Sequence, residues 1–141
     1  MRYWDSSALI PLLVEQSSTE AMRAAAREDP AVASWWATPV ECVSALARLY
    51  RDERLAASDL SESVTRLREA ASHWTVVTPS EAVREQAIRL VRVHPLRAAD
   101  ALQLAAAIVA SAYQPGALEF VSLDGRQLEA AEKEGFAVIT C

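Results

Sequence analysis

Apolar residues along this chain come in two rhythms, short clusters closed off by turn residues and longer stretches at helical spacing, and the two alternate from end to end. Met1 to Asp5 reads as a short extended segment that ends in an acid. Ser6-Ser7 then leads into the apolar run Ala8 to Val14, giving strand, turn and buried helix. Ser17-Ser18-Thr19-Glu20 has the hydroxyl-x-x-Glu spacing of a capping box, so a second helix is expected from there to about Asp29, before Pro30. Ala31 to Thr38, which contains Trp35 and Trp36, is expected as a strand. Pro39 suits the first turn of the helix after it, where a missing amide proton costs nothing.

Leu60, Val64, Leu67 and Ala71 recur at helical spacing and predict an amphipathic helix that ends before a strand at Thr75-Val76-Val77. Pro79-Ser80 opens another helix, through Val83, Ala87 and Val91, which stops near His94-Pro95. Ala98 to Ala112 is apolar around nearly its whole circumference, the mark of a central helix packed on several sides. Leu118 to Leu123 reads as a strand, Asp124-Gly125 as a turn, Gln127 to Glu134 as a helix and Phe136 to Thr140 as a closing strand. Strands that alternate with helices imply right-handed crossovers and a parallel sheet covered on both faces, so the class is α/β.

In open sheets of this kind ligands bind at the carboxyl ends of the strands. Asp5 and Asp124 both follow predicted strands, while Glu41 and Asp100 both fall in the first turns of helices, so all four acids can converge on one edge. Each also has a plainer explanation, because Asp and Glu are favoured at helix starts. Asp5 could cap the first helix. Asp124 has Gln127 three residues on, again a capping-box spacing. Glu41, on a stripe with Arg48 and Asp52 opposite the apolar Cys42, Leu46, Leu49 and Tyr50, looks by itself like a solvated surface residue. Asp100 is the more telling acid: its helical neighbours Leu104, Ala107, Ile108 and Ser111 are apolar or small, so either it caps the helix or something positive meets it.

A cluster of three or four carboxylates would repel itself and take up protons unless a cation sat among them. Oxygen ligands suit Mg²⁺ or Mn²⁺, and such an ion can activate a water for attack on a phosphodiester. The bulk numbers change this picture little. The 141 residues suit a single domain spanning 1–141, and 52% hydrophobic residues are enough for a packed core. A net charge of -5 offers no broad basic surface for nucleic acid, although a bound cation would invert the potential locally. Cys42 and Cys141 form no disulfide framework and have no metal-ligand spacing, which fits a reducing cytoplasm. No apolar stretch has the length of a membrane span or the form of a signal peptide, so neither membrane insertion nor export is expected.

Four segments in order, Asp5-Ser6-Ser7-Ala8-Leu9, Pro39-Val40-Glu41, Leu96-Arg97-Ala98-Ala99-Asp100-Ala101-Leu102-Gln103-Leu104-Ala105 and Phe120-Val121-Ser122-Leu123-Asp124-Gly125-Arg126, resemble VapC-type PIN domains, the ribonuclease toxins of bacterial toxin-antitoxin pairs. The Asp100 segment is the most specific and the Asp5 segment next. The resemblance covers essentially the whole chain. It implies a three-layer α/β/α PIN-like fold around a central parallel sheet, a homodimer, cleavage of RNA that depends on Mg²⁺ or Mn²⁺, and a cognate antitoxin that covers the site. Carried over by motif, Asp5, Glu41, Asp100 and Asp124 are the catalytic, metal-holding acids, Ser7 supports them by hydrogen bonding, and Arg97 contacts RNA or the antitoxin. Gln103 stands where relatives often have His, outside the set of acids. Arg48, Arg51, Arg54, Arg97 and Arg126 are the candidates for an RNA-binding surface. Trp35 and Trp36, though able to stack on bases, are read as serving the core on one face of a strand and a dimer or partner contact on the other.

Other readings fit less well. A phosphoacceptor receiver domain would want a lysine near the sheet edge, and the one lysine, Lys133, lies inside the last helix. An aspartyl-nucleophile phosphatase would want Asp-x-Asp after the first strand, where Ser7 takes the second place. His73 and His94 have no suitable neighbours and receive no catalytic role. The more serious alternative is a PIN-like protein that binds RNA or a regulatory partner without cutting.

Overall fold

A computed structural model describes all 141 residues of the chain. Five short strands, β1 (Arg2–Trp4), β2 (Val32–Trp35), β3 (Thr75–Val77), β4 (Glu119–Val121) and β5 (Ala137–Ile139), form one sheet in the order β3-β2-β1-β4-β5. All four pairings are parallel. Seven helices supply the crossovers: α1 (Ser6–Leu13), α2 (Thr19–Glu28), α3 (Thr38–Arg51), α4 (Ala57–Ala71), α5 (Glu81–Val93), α6 (Ala98–Ala110) and α7 (Gly125–Lys133). The α/β class and the three layers expected of the sequence are both present.

The layering follows from β1. Successive side chains on a strand point to opposite faces, and here Tyr3 and Trp4 are both fully buried. Tyr3 joins Trp35, Phe120 and Phe136 in a core beneath α5, α6 and α7, and its ring stacks on that of Phe120 at 5.4 Å. Trp4 and Val121 point the other way, into a core made by α1 to α4. The chain leaves β1 outward through β2 to β3, then returns to place β4 on the other side of β1. That reversal opens a crevice at the carboxyl ends of β1 and β4, the switch point where such sheets hold their ligands.

Several local expectations shift by a few residues, each for a visible reason. The capping box at Ser17 to Glu20 does not form. Instead Thr19, fully buried, accepts from the Gln16 amide (2.8 Å) and donates to the Pro11 carbonyl (2.9 Å), while Glu20 pairs with Arg23. The second strand stops at Trp35 rather than Thr38, because Trp36-Ala37 turns the chain and the buried Thr38 begins α3. Trp35 accordingly sits in the core, and Trp36 stands 59% exposed just beyond the strand. Helix α6 ends at Ala110, with Ala112 and Tyr113 in the left-handed region (φ 52° and 62°) and the Tyr113 amide returning to the Ile108 carbonyl (3.0 Å). The equivalent stop after α7 uses Gly135, whose φ of 98° a side chain would resist. No helix is long and apolar enough to cross a membrane.

Helices α5 and α7 are tied by Glu134, which takes two bonds from Arg89 (3.1 and 2.6 Å) and one from His94 Nε2 (2.7 Å). The Arg89 guanidinium holds the Glu134 carboxyl below its ordinary range, with His94 adding to the effect. A carboxyl whose folded pKa is depressed adds stability above its unfolded pKa, and that stability is lost as pH falls through the folded value. Glu134→Gln should therefore cost on the order of 1 kcal/mol in urea unfolding at neutral pH. The gap to wild type should close as pH is lowered from about 5 to about 3; a gap that stayed constant would attribute the loss to packing instead.

Candidate metal centre

Asp5 lies one residue past β1, with its carboxylate buried and its backbone extended (φ -81°, ψ 168°), as an N-cap requires. Its Oδ1 accepts from the Ser7 amide (2.8 Å), the Ser7 hydroxyl (2.6 Å) and the Ala8 amide (3.3 Å), and Oδ2 accepts from the Ser122 hydroxyl (2.7 Å). Capping and site placement are thus the same fact. Burial pushes this carboxyl above its ordinary range, and the four hydrogen bonds only partly offset it. Ser7 Oγ also accepts from the Leu123 amide (2.9 Å) and Ser122 Oγ from the Asp124 amide (3.0 Å), so the loop after β4 is built onto the end of β1.

Glu41 departs from the solvated residue that its helical stripe suggests. It sits half-buried in the first turn of α3, where Oε2 accepts from the Ser6 hydroxyl (3.0 Å) and Oε1 from the Gln103 amide (3.1 Å). Burial raises its carboxyl, the bonds from Gln103 and Ser6 oppose that, and the charges of Asp5 and Asp100 raise it again. Burial, with the charges of Glu41 and Asp5 added, pushes the Cys42 thiol up to about 12, which leaves it protonated and no ligand or nucleophile.

Asp100 is half-buried in the first turn of α6, and its Oδ2 takes only a long bond (3.3 Å) from the Arg97 amide. Asp124 caps α7, accepting from the amides of Arg126 (2.9 Å) and Gln127 (3.0 Å). Asp100 and Asp124 line one open cleft of about 590 Å³ with Arg97, Gly125, Arg126 and Glu129 and no apolar side chain. Of the five arginines singled out in the sequence, only Arg97 and Arg126 reach this cleft. Arg48 and Arg51 lie near the far end of α3, about 10 to 15 Å along its axis from Glu41 at 1.5 Å per residue.

None of the four acids forms a salt bridge; the partners of each are hydroxyls and amides. The charges of Asp5 and Asp100 both act on Glu41, and the backbone of Asp124 is tied to Asp5 through the Ser122 hydroxyl. As the side chains stand, no three of the acids are close enough to share one ion. The donor chemistry nevertheless fits a hard dication: the groups are all oxygen, none is held in an ion pair, and Asp5 Oδ2 has a single hydrogen-bond partner. Sequence reading missed Ser6, Thr38, Gln103 and Ser122 as parts of the site. For Gln103 a signal existed, since it is polar in an otherwise apolar helix and lies three residues, one turn, after Asp100.

Comparison with curated protein sequences finds no match. Among solved structures, a toxin-antitoxin complex from Klebsiella pneumoniae is similar at 17% identity and TM-score 0.63, with 99% of this chain and 97% of that chain covered. FitAcB from Neisseria gonorrhoeae is similar at 19% identity and TM-score 0.69, covering 99% and 97%. PAE2754 from Pyrobaculum aerophilum is similar at 20% identity and TM-score 0.64, covering 98% and 89%. At these identities the likeness speaks for the fold. Compared with known families, residues 2–141 match the PIN domain, and on that match over nearly its whole length the chain belongs to the PIN domain family, whose members are generally nucleases.

Proposed function

We propose that this chain is a VapC-like toxin, a single PIN domain over residues 1–141 that hydrolyses RNA phosphodiesters with Mg²⁺ or Mn²⁺ in the cytoplasm and is inhibited by a cognate antitoxin. The observation that carries the reading is the set of carboxylates Asp5, Glu41 and Asp100, with the charges of the other two acting on Glu41, at the switch point of a parallel sheet and with neutral hydrogen-bond partners only. Asp124 completes the set. When bound, the ion would supply an activated water and stabilise the phosphate oxygens in the transition state. The chain's own groups do the rest: the four acids hold the ion, Ser7 fixes Asp5, and Arg97 and Arg126 face the phosphates of a strand lying in the cleft. An antitoxin partner is supported by the complex from Klebsiella pneumoniae that shares the fold. A homodimer belongs to the same reading.

The rival is a PIN-like protein that binds RNA or a partner without cutting, favoured by the lack of any ready-made three-acid grouping. The two separate in one assay, in which partner-free protein and its Asp100→Asn variant are incubated with a mixed RNA pool plus Mg²⁺, Mn²⁺ or chelator. Cleavage should require both the metal and Asp100. A folded wild type that cuts nothing would favour the binder.

Two substitutions separate the charge of Asp5 from its cap. In Asp5→Asn the amide oxygen still accepts from Ser7 and Ala8 and the new NH₂ can donate to Ser122, so unfolding free energy should change by less than about 1 kcal/mol while Mn²⁺-dependent cleavage disappears. Asp5→Ala should also lose cleavage but cost a further 0.5 to 2 kcal/mol or so for the missing cap. Equal stability of the two variants in urea unfolding would contradict the capping geometry.

Replacing Arg97 or Arg126 by Ala should weaken binding of the uncut RNA to the Asp100→Asn protein and reduce the salt dependence of that binding by about one phosphate contact each. A salt slope that does not move would place the strand elsewhere.

A further inference from the structure

We propose that Gln103 is a positioning residue that sets the affinity of the carboxylate cluster for a divalent cation, by fixing the Glu41 carboxylate with a donor that carries no charge; the inference rests on the proposed metal site. Gln103 is 1% exposed, in the middle of the apolar helix α6. Its Oε1 accepts from the Tyr3 hydroxyl (2.8 Å), and its Nε2 donates to Thr38 Oγ1 (2.9 Å) and Glu41 Oε1 (3.1 Å). Both amide protons and the carbonyl are therefore engaged, and the amide cannot turn over without setting its oxygen against a carboxylate oxygen. The Ser34 hydroxyl extends the chain of bonds, lying 2.8 Å from Thr38 Oγ1 and 2.7 Å from the Trp4 carbonyl oxygen. Glu41 is thereby referenced to β1, β2 and α6 at once, while Ser6 holds its other oxygen.

A buried amide is an expensive way to fill space, since an apolar side chain of that size would pack in α6 without needing partners. Its chemistry explains its presence. Lysine or arginine at this point would also hold Glu41, but would neutralise it and stand in for the cation. A hydroxyl from α6 would be too short to span to α3. Glutamine reaches, orients and leaves the negative charge for the ion, as do the serines around Asp5.

The test is Mn²⁺ binding followed by calorimetric titration with MnCl₂, on wild type, on Gln103→Met, which keeps the volume and removes both donors, and on Leu118→Ala, a destabilising change in the core just before β4, at the amino ends of the strands and so opposite the acids. Gln103→Met should weaken Mn²⁺ binding by about 10- to 100-fold, the usual effect of losing a group that orients a metal ligand. Leu118→Ala should lower the melting temperature and leave the affinity of the folded protein unchanged. Equal affinity in Gln103→Met and wild type, or the same loss in both variants, would overturn the proposal in favour of a packing role. Should Gln103→Met fail to fold, the wild type decides: its Gln103 side-chain NH₂ signals in nitrogen-15 NMR should shift on titration with Mg²⁺, and unmoved signals would count against it. Wild type that binds no Mn²⁺ removes both this inference and the metal site. Wild type that binds Mn²⁺ but cuts no RNA removes only the nuclease reading.

Discussion

A carboxylate at the end of the central strand has nowhere to go but inward, and the site is organised around that constraint. β1 is covered on both faces, with Tyr3 under α5, α6 and α7 and Trp4 under α1 to α4, so the residue that follows it emerges already buried. Burying an ionised group without partners is costly. Asp5 meets the cost with backbone amides at the start of α1 and with two serine hydroxyls, one of them from the far side of the chain. Those same serines anchor the loop that carries Asp124. A cap, a loop anchor and a place in the acid cluster are served by one side chain.

What the neighbours of the acids lack is as informative as what they supply. Proteins that bury acids for structural reasons commonly pair them with arginine or lysine, as this one does where Arg89 grips Glu134. At the switch point the pattern changes, and hydroxyls and amides take the place of cations. The lone Glu134 and the cluster at the switch point thus show the two solutions side by side. One is a closed ion pair that fastens α5 to α7; the other is left with charge to spare.

Much of this was legible in the sequence, because the signals were periodic or local. The alternation of strands and helices gave the class, and the acids after β1 and β4 fell at strand ends because Asp at such a place also starts the next helix. The parts that were not legible depend on tertiary contacts. Ser17 to Glu20 has the letters of a capping box, yet Thr19 is claimed by Pro11 and Gln16, a competition that spacing cannot show. Glu41 reads as solvated along its own helix, and only the arrival of α6 with Gln103 buries it. Gln103 itself stood out as polar among apolar residues, but its purpose is visible only once Tyr3, Thr38 and Glu41 surround it.

The bonds that complete the site join residues far apart in the chain: Ser122 reaches back 117 positions to Asp5, and Gln103 reaches 62 to Glu41 and 100 to Tyr3. Contacts of such separation are the last that a growing polypeptide can make. While the ribosome is still synthesising α6, Asp5 lacks Ser122 and Glu41 lacks Gln103, and β4 has yet to take its place beside β1. The acids come into register only once the chain has been made through Ser122 and Asp124, so a copy cut short before β4 carries three of the acids without their geometry. Whatever this centre does, it cannot begin before β4 and the loop after it have been made and have folded back onto β1.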